Sequence, residues 1–88
     1  MKTKKNFVLR QVAGSYVVLS IADATVDFDG MLTLNESGLL LWKLLEQGTT
    51  IEALANALLD EYEVTYEQAL EDVTAFIQKL NDAGCIEQ

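Results

Sequence analysis

Before Asn35 the chain carries short apolar runs, which from Val26 to Leu34 give way to alternation of apolar and polar residues; beyond Asn35 the apolar positions bunch into stripes of helical spacing. The runs "FVLRQV" and "YVVLSI", rich in β-branched and aromatic residues around "AGS", predict a hairpin closed by a tight turn. In "TVDFDGMLTL", Val26 and Phe28 precede an Asp29-Gly30 pair suited to a type I′ turn, and Leu32 and Leu34 resume the alternation after it. Met31 to Leu34 is the stronger strand of this segment. As the last of three, it is expected at a sheet edge.

Helical signals follow without a linker. Asn35 offers a side-chain oxygen to a helix start, Glu36 suits the helix dipole, and Gly48 can adopt the left-handed conformation that ends a helix. The stretch between them is apolar on more than one face, which predicts a helix central to the core. In "TTIE", Thr49 and Glu52 form a candidate capping box. Behind it, Ile51, Leu54, Ala55, Leu58, Leu59 and Tyr62 make one stripe. Thr65 and Gln68 repeat the device before a third helix, with Tyr66, Ala69, Leu70, Val73, Phe76, Ile77 and Leu80 on one side and "DAG" as its stop. The tail "CIEQ" is expected to add a short strand. The fold class this predicts is α+β and winged helix-turn-helix-like, with an N-terminal three-stranded antiparallel sheet followed by three helices.

Length and composition narrow the functions. Eighty-eight residues, half of them apolar, suit one domain over residues 1–88, with residues 1–6 expected as a flexible basic N-terminus. No apolar run reaches the roughly 18 residues of a membrane span, so a cytoplasmic protein without membrane contact is expected. Cys85 is the single cysteine and there is no histidine. Disulfide frameworks, thiolate zinc sites and the commonest general base are therefore missing, and neither catalysis nor a metal or other cofactor is expected.

The net charge of -8 is unevenly placed: Lys2, Lys4, Lys5 and Arg10 supply most of the cations, and only Lys43 and Lys79 follow Asn35. A DNA-binding winged helix would present basic and amide side chains on its third helix. This one carries Glu67, Glu71, Asp72 and Asp82, so phosphate would be repelled and no nucleic-acid partner is expected. Adjacent pairs such as Asp60-Glu61 and Glu71-Asp72 point about 100° apart on a helix and read as solvated faces rather than acid-base dyads. Ser37 near a helix start could suggest a phosphopantetheine site, yet serine suits helix starts in any case, and the strand-rich first third does not fit an acyl carrier bundle. A binding module remains: an exposed strand edge accepts an extended peptide as an extra strand, and the third helix would wall the groove.

The segments "FVLRQVAGSYVVL", "FDGMLTLNESG", "LW" and "EALANALLDEYEVTYEQALEDVTAFIQKLNDAGCIE" together resemble the PqqD-like family, over nearly the whole chain. That resemblance implies a RiPP recognition element: a non-catalytic chaperone that binds the leader segment of a ribosomally made precursor peptide and presents it to a separate modifying enzyme, such as a radical SAM protein. In the family the leader adds beside the third strand against the third helix. Carried over, the strand edge is Gly30, Met31, Leu32 and Thr33, and the helix wall is Asp72, Ala75, Phe76 and Lys79. The competing reading is a winged-helix transcriptional regulator or protein-protein adaptor. An exposed edge also permits exchange between copies, so both a monomer and a strand-swapped dimer are compatible with the sequence.

Overall fold

The computed structural model describes the backbone of residues 1–22 and 25–87, and the side chains of these residues other than 22–31. Five strands and three helices follow one another: β1 (Lys2–Thr3), β2 (Phe7–Val12), β3 (Ser15–Ala22), β4 (Thr25–Leu34), α1 (Glu36–Gln47), α2 (Ile51–Glu61), α3 (Tyr66–Asp82) and β5 (Ile86–Glu87). β2, β3 and β4 form an antiparallel sheet in that order, which leaves β4 as an edge strand. The expected sheet followed by three helices is what the chain forms.

The predicted hairpin is closed by Ala13 and Gly14, between the paired Val12 and Ser15. Both have positive φ, 52° and 83°, the combination that a type I′ turn requires and that matches the twist of its flanking strands. Asp29-Gly30 behaves differently from its expected turn. β4 already pairs with β3 at Ala22↔Thr25 and continues to Leu34, with a register shift on the way. Asp27 faces Ser20 and Leu32 faces Val18, so residues 28–31 lie opposite Leu19 alone. The extra residues are absorbed as an irregularity within one strand, which bends it and loosens its ladder.

One residue joins sheet to helix. Asn35 caps α1, its Oδ1 accepting from the Gly38 amide at 2.8 Å and from the Ser37 hydroxyl at 3.0 Å. α1 buries Gly38, Leu41, Trp42 and Leu45, and Gly48 ends it with φ 89°. Around Trp42 and Leu45 the core gathers Val18 from β3, Leu54 and Leu58 from α2, and Val73, Ile77 and Leu80 from α3. Each fully buried residue of this size contributes on the order of 1.5–3 kcal/mol. The Trp42 indole N–H has no hydrogen-bond partner among the described residues. That loss, about 1–3 kcal/mol, is offset by the large apolar surface the ring removes from water.

Three local expectations change. α2 is capped by Thr50, whose Oγ1 accepts from the Ala53 amide at 3.1 Å, while the Thr49 amide donates to the Met1 carbonyl at 2.9 Å. With two threonines in a row, the tertiary contact of the first leaves the second to cap. Tyr62 and Tyr66, placed on the buried stripes by their spacing, are 37% and 41% exposed; they stand at the two sides of the α2–α3 turn, as the cap of α2 and the first residue of α3. The third change is at the N-terminus, expected as a flexible arm. Lys2 and Thr3 pair with Glu87 and Ile86 of β5, and the Lys4 amide donates to the Cys85 carbonyl at 2.8 Å. The predicted C-terminal strand supplies the partner that a basic run alone does not reveal.

α3 stops as predicted at "DAG". Gly84 takes φ 75° and the Cys85 amide donates to the Leu80 carbonyl at 2.9 Å, the long bond of a Schellman turn. That turn aims β5 at β1, so the two ends of the chain are joined beneath the core.

A groove between β4 and α3

The outer edge of β4 has no strand beside it among the described residues. α3 packs principally on α2 rather than on β4, and two clefts border its outward face, one against β4 and one against the start of α1. The first, about 340 Å³, lies between Leu32, Thr33 and Leu34 of β4 and Phe76, Lys79 and Leu80 of α3. The second, about 490 Å³, continues past Asn35, Ser37 and Gly38 toward Asp72, Ala75 and Phe76, with Tyr62 and Val64 at its far end. Asn35 and Phe76 line both, so the clefts adjoin across these two side chains.

The local sequence accounts for each wall. Phe76 and Lys79 recur at a three-residue interval and Asp72 and Phe76 at four, so all three share one face of α3. Asp72, Ala75 and Lys79 are exposed there and Phe76 is half-buried. Gly38 sets the width at the centre. A Cβ at that position would stand 3.1 Å from Asn35 Oδ1, tighter than side chains normally pack, and 3.4 Å from the Phe76 ring, at the near limit of ordinary contact. Glycine lets the first turn of α1 approach the ring with Asn35 Oδ1 left undisturbed in its cap. At the far end Thr65 caps α3, accepting from the Gln68 amide at 3.1 Å. Gln68 does not complete a reciprocal capping box; its Nε2 donates to Asp72 Oδ1 at 2.9 Å, fixing that carboxylate on the groove wall.

Of the residues expected at the site, Leu32, Thr33, Asp72, Ala75, Phe76 and Lys79 border the two clefts. Gly30 and Met31 belong to β4 but fall in its shifted register, and their side chains lie outside the described residues. Sequence reasoning missed Tyr62 and Val64, which close the far end, and it read Asn35 only as a cap. Tyr62 carried a misleading signal, since it sits on the apolar stripe of α2 but belongs to the turn that follows it.

The clefts are lined by apolar side chains such as Leu32, Leu34, Leu41 and Phe76 together with Asn35, Asp72 and Lys79, whose polar groups suit hydrogen bonding and charge pairing. Among the described residues no cluster of His, Cys, Asp or Glu is placed to hold a metal ion. Cys85 is buried beneath the core rather than in the groove, and burial pushes its thiol pKa up, an effect only partly countered by Lys4. No helix among the described residues is long and apolar enough to cross a membrane.

Two solved structures share this architecture. TbiB1 in complex with the TbiA(beta) leader peptide is 25% identical, with a TM-score of 0.78 over 99% of this chain and 95% of that one. A lasso peptide synthetase B1 complexed with the leader peptide is 22% identical, with a TM-score of 0.77 over 99% and 96% of the two chains. No curated protein sequence matches the chain. The family model of coenzyme PQQ synthesis protein D (PqqD) matches residues 8–86, from the second residue of β2 into β5. With nearly every element of its fold inside that match, this chain belongs to the PqqD family.

Proposed function

We propose that this chain is a RiPP recognition element: it binds the leader segment of a ribosomally made precursor peptide and presents the remainder to a separate modifying enzyme, such as a radical SAM protein. The leader adds to the free edge of β4 as a further strand, with Phe76 and its neighbours on α3 as the opposite wall. Main-chain bonds along the edge give affinity, and side chains entering the two clefts give specificity. The protein itself makes and breaks no bonds, and it meets precursor and enzyme in the cytoplasm.

The observation that carries this reading is an edge strand facing a stood-off helix across an apolar groove, in a chain whose fold matches two proteins solved with leader peptides. The groove is the right kind of space for a strand. A strand pairs about 4.8 Å from its neighbour and sends alternate side chains to one face, which is what a cleft beside Leu32 and Leu34 can receive.

The test uses isotope-labelled protein and the leader of a precursor encoded beside its gene. Amide shifts should concentrate on residues 30–34 and on the Asp72–Lys79 face of α3, and saturate with one leader per chain. Binding that leaves the β4 amides unmoved would refute strand addition at this edge.

A further inference from the structure

The groove has two differently charged ends. Lys79 borders the cleft beside Leu32, Thr33 and Leu34; Asp72 borders the cleft beside Asn35 and Gly38; Phe76 lies between them and faces both. Seven residues along α3 separate the two charges, about 10.5 Å at 1.5 Å per residue. Lys79 is the one cation in the sequence of α3. On a chain of net charge -8, the groove therefore changes sign along its length instead of being acidic throughout.

The N-terminus of α1 acts against this polarity, because its first turn carries about half a positive charge next to the Asp72 cleft. Asp72 brings a full negative charge to the cleft lining, and Glu36 offsets the same first turn of α1 from outside that lining. The Gly38 amide is already taken by Asn35. The sign at that end stays negative. Gln68 holds one oxygen of Asp72 in place, and a carboxylate has lone pairs to spare for a second donor.

Direction follows from the fold. β4 runs from the Lys79 end of the groove toward the Asp72 end, since Leu32 precedes Asn35. A strand added antiparallel, the orientation β3 and β4 already share and the better bonded of the two, enters at Asp72 and leaves at Lys79. Resting on the leader-binding reading above, we propose that this groove selects peptides by the order of their charges: a Lys or Arg first, an apolar residue two positions later over Phe76, and an Asp or Glu two positions beyond that. Positions i, i+2 and i+4 of a strand share one face and span about 13 Å. Flexible side chains at both ends take up the difference from the spacing on α3.

Two blocked synthetic peptides of identical composition make the test, Thr-Lys-Val-Leu-Thr-Glu-Val and Thr-Glu-Val-Leu-Thr-Lys-Val, titrated at low salt and read by amide shifts. The lysine-first peptide should bind about five- to tenfold more tightly, the scale of two partly exposed ion pairs. In the double variant Asp72→Lys with Lys79→Asp, which keeps the net charge and alters two exposed positions, the preference should invert. Asp72→Asn and Lys79→Gln singly should each bring the ratio closer to one, and this pair keeps the test available if the double variant is unstable. Equal affinities, a glutamate-first preference, a preference untouched by the charge swap, or no binding by either peptide overturns the proposal. The titration with the encoded leader then separates the two levels. Shifts along β4 without any charge-order preference remove this inference and leave the leader-binding reading intact, whereas a leader that does not move β4 removes that reading itself.

Discussion

Phe76 and Gly38 meet at the waist of the groove, and their contact ties a helix cap to a binding surface. Gly38→Ala separates the two roles. Alanine is better than glycine inside a helix by about 1 kcal/mol, but its Cβ would press on Asn35 Oδ1 and the Phe76 ring and weaken a cap worth about the same. The two terms nearly cancel, so the melting temperature should move by only a few degrees while leader affinity falls several-fold as the ring is displaced. A variant that melts as before and binds the leader at full strength would show that the Phe76 position does not matter to the peptide. The residue scale also marks what spacing can and cannot say. Asn35 as a cap was legible from its chemistry, because a side-chain acceptor before an apolar run has few other uses. Its place in both clefts was not, since that depends on where α3 lies. Tyr62 shows the opposite failure: its spacing assigns it to the core, and the turn that follows α2 turns it out into the groove.

At the scale of elements, β4 is the strand on which the proposed function rests, and its amides are not equivalent. In an antiparallel pair successive residues alternate between bonding the neighbour and pointing outward. Of Leu32 and Thr33, paired with Val18 and Val17, one amide serves β3 and the other faces the groove. Leu32→Pro and Thr33→Pro should therefore behave differently. One removes a ladder bond and destabilises the fold by a few kcal/mol; the other leaves the melting temperature close to the parent while weakening leader binding at least tenfold. Thermal melts and titrations of both variants check this, and two stable variants with undiminished affinity would exclude main-chain pairing there. The hairpin, the three helices and most of their stops were readable because each is governed by local chemistry: positive-φ turn residues, capping oxygens, a 3.6-residue stripe. The register shift of residues 28–31 was not. An Asp-Gly pair permits a turn, but whether it reverses the chain or is absorbed within a strand depends on the pairing with β3.

At the scale of the whole molecule, the two ends of the chain are pinned together by β1 and β5, with Cys85 buried at the junction. Burial raises the thiol pKa in the folded state, so the unfolded chain ionises first as pH climbs past the ordinary thiol value. Below that value both states hold the proton and no stability is lost; above it the folded state is penalised progressively until the folded thiol also ionises. The denaturation midpoint of the parent should thus fall more steeply than that of Cys85→Ala between about pH 8 and 10, whatever constant offset the lost methylene-sized volume introduces. Parallel curves for the two proteins would show that the thiol is not buried in solution.

The hairpin, the three helices and their order, the acidic character that disfavours nucleic acid and the family pattern were legible in the chain alone, because they follow from short-range propensity, periodicity and composition. Packing in three dimensions set how β4 absorbs residues 28–31, how far α3 stands from that edge, that Lys79 and Asp72 border different clefts, and that the basic N-terminus pairs with the tail. Those features arise from packing between segments distant in the chain, where the free energy depends on all the partners at once and no local pattern encodes it.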